Sequence, residues 1–206
     1  MSTLVKICGI RNPEAALAAA DAGADMIGLN FIADSRRRVS KEVAGDIARA
    51  VAGRVAVVGV FRNDAMAAVK EHVLEIPLGY VQLHGEESPE YCQELETTAG
   101  IPVIKAFPLD GVFDVGAAIR HLRRYNVKYH LVDRLSQGTG APLDPASLAQ
   151  LATRIPIIVA GGLTPQSVGG IVRAVHPAGV DVAGGIETDG VEDPEKIALF
   201  VRQAHA

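Results

Sequence analysis

The feature that most constrains this chain is a recurrence of short, apolar, β-branched runs separated by stretches with helix grammar. The runs are Leu4–Cys8, Met26–Phe31, Val55–Phe61, Tyr80–Leu83, Val103–Phe107, Tyr129–Val132, Ile157–Ala160 and Val180–Ala183. Most are hydrophobic almost without interruption, which is how strands read when both faces are buried in a parallel sheet. The stretches between them open on helix start signals. Asn12-Pro13-Glu14 offers a cap residue, a proline at the first helical position and an acid in the first turn. Ser88-Pro89-Glu90, Asp144-Pro145-Ala146, Thr164-Pro165-Gln166 and Asp193-Pro194-Glu195 repeat that signal, and Ser40-Lys41-Glu42 is a variant without proline. Gly23 and Gly53 read as stops. The pairs Ala22-Gly23 and Ala178-Gly179 read as a faint repeat that ends a helix just before a strand.

About eight such units tile the chain with no linker or low-complexity break. Parallel strands joined by crossover helices close into a barrel or open into a doubly wound sheet, and eight units favour the barrel. The expectation is an α/β fold, a (βα)8 TIM barrel occupying residues 1–206 as one domain with short loops. Cys8-Gly9-Ile10-Arg11-Asn12 does not carry the G-x-G-x-x-G fingerprint of dinucleotide sites.

Charge and composition narrow the function classes. The hydrophobic share is 49% and the net charge −4. That balance gives no electrostatic footprint for nucleic acid or an anionic membrane, so neither is an expected partner. Any anion is expected to be held by local groups. Met1–Lys6 lacks a signal-peptide pattern, and no apolar run is long enough to span a bilayer. Cys8 and Cys92 lie far apart in different kinds of segment, which suits a reducing, cytoplasmic setting. The six histidines are scattered, and no Cys/His cluster has metal-ligand spacing, so no metal is expected. Oligomeric state is not legible; monomer and homodimer both fit.

In a barrel of this kind the chemistry sits where the strands end. Cys8 closes the first run. A small buried cysteine is the commoner fate, but beside Gly9 a thiol is also placed to act as a base or nucleophile. Asp133 follows His130-Leu131-Val132, and a carboxyl behind a buried apolar run is costly unless paired or working. An apolar setting would raise its pKa towards a useful acid range. Ser35-Arg36-Arg37-Arg38 is either a solvated charge run or the source of one inward guanidinium for a carboxylate. Gly161-Gly162 follows the seventh run and Gly184-Gly185 the eighth, where barrels commonly bind phosphate through backbone N–H groups. The expected ligand is therefore a small phosphorylated molecule. Gly138-Thr139-Gly140 is either a plain loop or one that folds over a ligand. Gln82 and His84 end the fourth run, as substrate contacts or as ties between neighbouring loops.

Taken in order, these motifs resemble the phosphoribosylanthranilate isomerases over the full length. Lys6-Ile7-Cys8-Gly9-Ile10 is similar to the family's first strand, and Gly28-Leu29-Asn30-Phe31 and Ser35-Arg36-Arg37-Arg38-Val39-Ser40 to its second strand and loop. Val58-Gly59-Val60-Phe61, Val81-Gln82-Leu83-His84-Gly85 and Leu131-Val132-Asp133 continue the match. Ala160-Gly161-Gly162-Leu163-Thr164-Pro165, Val180-Asp181-Val182 and Gly185-Ile186-Glu187 complete it. The resemblance implies an Amadori rearrangement of N-(5-phosphoribosyl)anthranilate in tryptophan biosynthesis, without metal or organic cofactor. It implies Cys8 as general base and Asp133 as general acid. Arg37 falls on the carboxylate-binding position, and Gln82, His84, Gly138, Gly140 and Asp181 among the substrate contacts. Gly161, Gly162, Gly184 and Gly185 are the implied phosphate turns. The chain departs from the family pattern at Gln137, at Leu143-Asp144-Pro145 and at Ala183-Gly184, where two hydroxyl side chains are lost. A related isomerase of the histidine-pathway aminoaldose would use two aspartates, which Cys8 argues against. A non-catalytic phosphate-binding barrel would bind without turnover.

Overall fold

A computed structural model of the chain describes residues 3–134 and 143–206. Eight strands run in parallel: β1 (Leu4–Cys8), β2 (Met26–Asn30), β3 (Ala56–Phe61), β4 (Tyr80–Leu83), β5 (Val103–Leu109), β6 (Tyr129–Arg134), β7 (Ile157–Val159) and β8 (Gly179–Val182). Each pairs with the next, and β8 pairs with β1 to close the barrel, Lys6 lying in register with Asp181. The expected (βα)8 fold is thus observed. The eight helices that follow the strands are α1 (Pro13–Asp21), α2 (Lys41–Ala50), α3 (Met66–Glu75), α4 (Pro89–Ala99), α5 (Val115–Leu122), α6 (Pro145–Ala152), α7 (Val168–Val175) and α8 (Pro194–Ala204). No helix among the described residues is long and apolar enough to cross a membrane.

The start signals behave as capping chemistry requires. Asn12, Ser40, Ser88, Asp144 and Asp193 each accept a backbone N–H of the first helical turn. Each such cap is worth about 1 kcal/mol. Thr164-Pro165 is the exception and corrects the expectation. The Thr164 hydroxyl and backbone bond Ser167 in both directions, which closes a turn, and α7 begins only at Val168. Ala178-Gly179 does not stop a helix either. His176, with φ of +49°, caps α7, and Gly179 is already the first residue of β8. Phe31, Ala160 and Ala183 fall just outside the strands assigned to them, while β6 runs on through Arg134.

Two apolar layers result. A large one fills the space between sheet and helices, with Ile7, Ile27, Leu29, Val81, Leu95, Val180 and Phe200 among its fully buried members. A smaller one, of Met26, Val58, Ile104, Ala106, Leu131, Ile158 and Ala160, plugs the barrel interior. This division follows from strand alternation, since every second residue faces the axis. The same parity decides which side chains reach the active end. Counting two residues on from the interior plug leads from Val58 to Val60 and from Leu131 to Asp133. In β1, Lys6 is level with Met26, so Lys6 and Cys8 also face inward.

Candidate active site

Above the plug, at the C-terminal ends of the strands, lies a cavity of about 870 Å³. Cys8, Asn30, Gln82, His84, Asp133, Asp181 and Ala183 reach it from the strand ends, and Arg36, Arg37 and Arg134 from the rim. Cys8 and Asp133, 125 positions apart in sequence, therefore share one chamber. Gln82, His84 and Asp181 line it with them. Gly138 and Gly140 lie outside the described residues.

Cys8 sits on a buried charge pair. Lys6 Nζ, 1% exposed, donates to Asp181 Oδ1 at 2.8 Å across the β1–β8 seam. A Cβ built on Gly28 of β2 would lie 2.7 Å from Cys8 Sγ and 3.0 Å from Lys6 Nζ, so the glycine leaves space that thiol and ammonium share. Burial works to lower the Lys6 pKa, but Asp181 and Cys8 outweigh it and hold the ammonium charged. At Cys8 burial pushes the thiol up from its ordinary value; Lys6 draws it back in part, and Arg37 adds a smaller pull. A buried ion pair is a poor investment for stability alone, because desolvation offsets most of the Coulombic gain. Beside a thiol at the reactive end, the pair has a chemical use.

Asp133 stands in a setting different from the expected apolar one. Its carboxylate accepts the Arg134 N–H at 2.8 Å, lies 3.5 Å from His84 Nε2, and is 15% exposed on its side chain. His84 is in turn bonded through Nδ1 to Gln82 Nε2 at 3.1 Å. Gln82 and His84 thus form a chain that braces the carboxyl from β4, as well as facing the cavity.

The arginine run resolves into distinct roles. Arg37 is the inward member: its side chain is 13% exposed against 62% for Arg36, and it crosses the end of β1 above Gly9. A Cβ on Gly9 would overlap Arg37 Cδ, and Gly9 has φ of +84°, so glycine is required there twice over. Glu187, just after β8, grips Arg37 through Nε at 2.6 Å and a terminal nitrogen at 3.0 Å. It also accepts from Arg36 at 2.5 Å. Burial works to raise the Glu187 pKa, but these arginines outweigh it and keep the carboxylate ionised. Arg38 faces away, beside Val39 and His72.

The glycine pairs lie on the rim, not in the deep cavity. Gly161 and Gly162 both have positive φ, +89° and +77°, and turn the chain sharply after β7. Gly184–Ile186 forms one turn of 3-10 helix after β8. The two turns touch, since a Cβ on Gly185 would overlap the Leu163 carbonyl oxygen. Among the described residues no group of three His, Cys, Asp or Glu side chains is gathered to hold a metal ion.

Lys6, Glu187 and Arg134 are site residues that the sequence reading did not single out. Lys6 carried a readable signal, a charge inside an apolar run. Glu187 stood only within the Gly185-Ile186-Glu187 match, with no role attached to it.

Residues 5–203 match the family model described as N-(5′-phosphoribosyl)anthranilate (PRA) isomerase. The chain belongs to the phosphoribosylanthranilate isomerase family. A curated relative of that name from Desulforudis audaxviator is 41% identical, covering 98% of each chain. The phosphoribosylanthranilate isomerase of Thermus thermophilus superposes with a TM-score of 0.86 at 35% identity, covering 98% of each chain. A further member, solved in complex with reduced 1-(o-carboxyphenylamino)-1-deoxyribulose 5-phosphate, gives 0.85 at 32% identity, again over 98% of each chain. Family membership makes the chain an isomerase that interconverts an aldose and a ketose.

Proposed function

We propose that the chain converts N-(5-phosphoribosyl)anthranilate to 1-(2-carboxyphenylamino)-1-deoxyribulose 5-phosphate in tryptophan biosynthesis, with Cys8 as general base and Asp133 as general acid. The observation that carries the assignment of roles is that a thiol and a carboxyl face one cavity with Arg37 on its rim; the turns at Gly161-Gly162 and Gly184-Gly185 beside it support a seat for phosphate. Asp133 protonates the furanose ring oxygen and the ring opens to an iminium at C1′. The iminium acidifies the proton on C2′. The Cys8 thiolate takes that proton, the electron pair moves into the C1′–C2′ bond, and the enolamine tautomerises to the C2′ ketone. The two steps need one acid and one base, each worth about 10²–10⁴-fold. Holding the ligand at both ends supplies much of the remainder by fixing the reacting carbon between them.

Arg37 takes the anthranilate carboxylate. Arg37→Ala raises KM about 10- to 100-fold with little change in kcat, as expected for a charge-assisted hydrogen bond of about 1.5–3 kcal/mol. Arg36→Ala, at a mostly exposed side chain, changes KM far less. Steady-state kinetics on both variants check this, and the opposite ranking would reassign the carboxylate.

The direct test follows the fluorescence of the anthranilate substrate during turnover as a function of pH. The base form is the thiolate, and burial holds the thiol above its ordinary value. Because turnover needs that thiolate together with a protonated Asp133, kcat/KM follows a bell in pH, and the raised thiol sets its limb at the alkaline side. Lys6 favours the thiolate, so Lys6→Met moves that limb to still higher pH and lowers the rate at neutrality. Absence of turnover by the wild-type chain would refute the function. An unchanged profile in Lys6→Met would refute the coupling between Lys6 and Cys8.

A further inference from the structure

We propose that Arg134 is a phosphate-binding residue, its guanidinium joining the backbone turns after β7 and β8 on the phosphate of the substrate. The inference deepens the function proposed above and rests on it. Arg134 ends β6, directly after Asp133. The strand's alternation turns it away from the axis, yet its side chain folds back across the β7 turn. A Cβ built on Gly162 would overlap one terminal guanidinium nitrogen and lie 2.8 Å from Cζ; one on Gly161 would lie 2.9 Å from Arg134 Cγ. The two glycines are thus what allow the arginine to lie there. The same side chain also lines the deep cavity, so it links the reacting end to the rim.

Arg134 is also chemically unsatisfied. Among the described residues its buried Nε has no hydrogen-bond partner, and no carboxylate forms an ion pair with the guanidinium. Arg36 and Arg37 at the same mouth are both paired with Glu187. A buried guanidinium donor without an acceptor is costly, and a multidentate anion over the turn relieves it. The site needs a local cation, because the chain as a whole carries a net charge of −4. A phosphate seated on the Gly161-Gly162 turn has oxygens left over for a forked donor, which a carboxylate on Arg37 does not.

The test titrates inorganic phosphate into the wild-type chain, Arg134→Gln and Arg134→Lys by calorimetry, with kcat and KM for the phosphorylated substrate measured in parallel. Arg134→Gln should weaken phosphate binding about 10- to 100-fold and raise KM by a similar factor, leaving kcat nearly unchanged. Arg134→Lys, which keeps the charge but loses the fork, should fall between the two. It carries the test alone if the glutamine variant does not fold. Unchanged phosphate affinity in the variants would overturn the proposal. So would a fall in kcat with phosphate affinity and KM intact, which would mean that Arg134 acts only by placing Asp133. A wild-type chain that binds phosphate but fails to turn over would instead count against the proposed function, while the titration still decides the role of Arg134.

Discussion

Replacing Cys8 with alanine is expected to lower kcat by about 10²–10⁴-fold while leaving KM within a few-fold. The change removes one sulfur from a partly exposed position at the cavity floor, so little packing is lost. What disappears is the only group on β1 that can accept a proton there, because Lys6 is held as an ammonium by Asp181. Cys8→Ser sharpens the result. A serine fills nearly the same space and keeps a hydrogen bond, but its hydroxyl ionises far less readily than a thiol. Serine should therefore be almost as inactive as alanine. Steady-state kinetics beside a thermal unfolding curve separates this outcome from a folding defect. A serine variant with near-normal turnover would show that Cys8 is a packing residue.

Asp133→Asn is expected to have an effect of similar size for the complementary reason. Asparagine is isosteric, and its side-chain oxygen can still accept the Arg134 N–H that Asp133 accepts at 2.8 Å. The loop geometry is therefore kept, and so is the approach to His84. Only proton donation to the ring oxygen is lost, so kcat should fall about 10²–10⁴-fold with KM little changed. If the carboxylate merely caps the end of β6, asparagine will serve as well, and kinetics on the purified variant will show near-wild-type turnover.

The fold was legible because it rests on local signals. Buried parallel strands and capped helices announce themselves within ten or so residues, and six of the capping sites were readable, five of them correctly. The failure at Thr164-Pro165 has a local cause: Thr164 and Ser167 satisfy each other, and the turn they close postpones α7. The residues proposed for chemistry, Cys8 and Asp133, were legible as polar groups at strand ends, with the family resemblance raising Cys8 above a packing role. Their surroundings were not, because the partners arrive from distant strands. Lys6 meets Asp181 across 175 positions, and only closure of β8 onto β1 brings them level. Spacing treats Arg36, Arg37 and Arg38 alike; Glu187, 150 positions beyond Arg37, holds both Arg36 and Arg37, and only burial over the end of β1 singles out Arg37. The apolar setting expected for Asp133 fails because His84 reaches it from β4. Arg134 escaped notice because alternation points it away from the axis, and only the glycine turn lets it fold back.

The most direct test of the account is a crystal structure of this chain with reduced 1-(o-carboxyphenylamino)-1-deoxyribulose 5-phosphate bound. The account predicts the anthranilate carboxylate on Arg37, the phosphate on the Gly161-Gly162 and Gly184-Gly185 turns within reach of Arg134, and the C2′ carbon against Cys8 Sγ with Asp133 on the sugar oxygens. A ligand bound end-for-end, or one whose C2′ lies out of contact with Cys8, would contradict it.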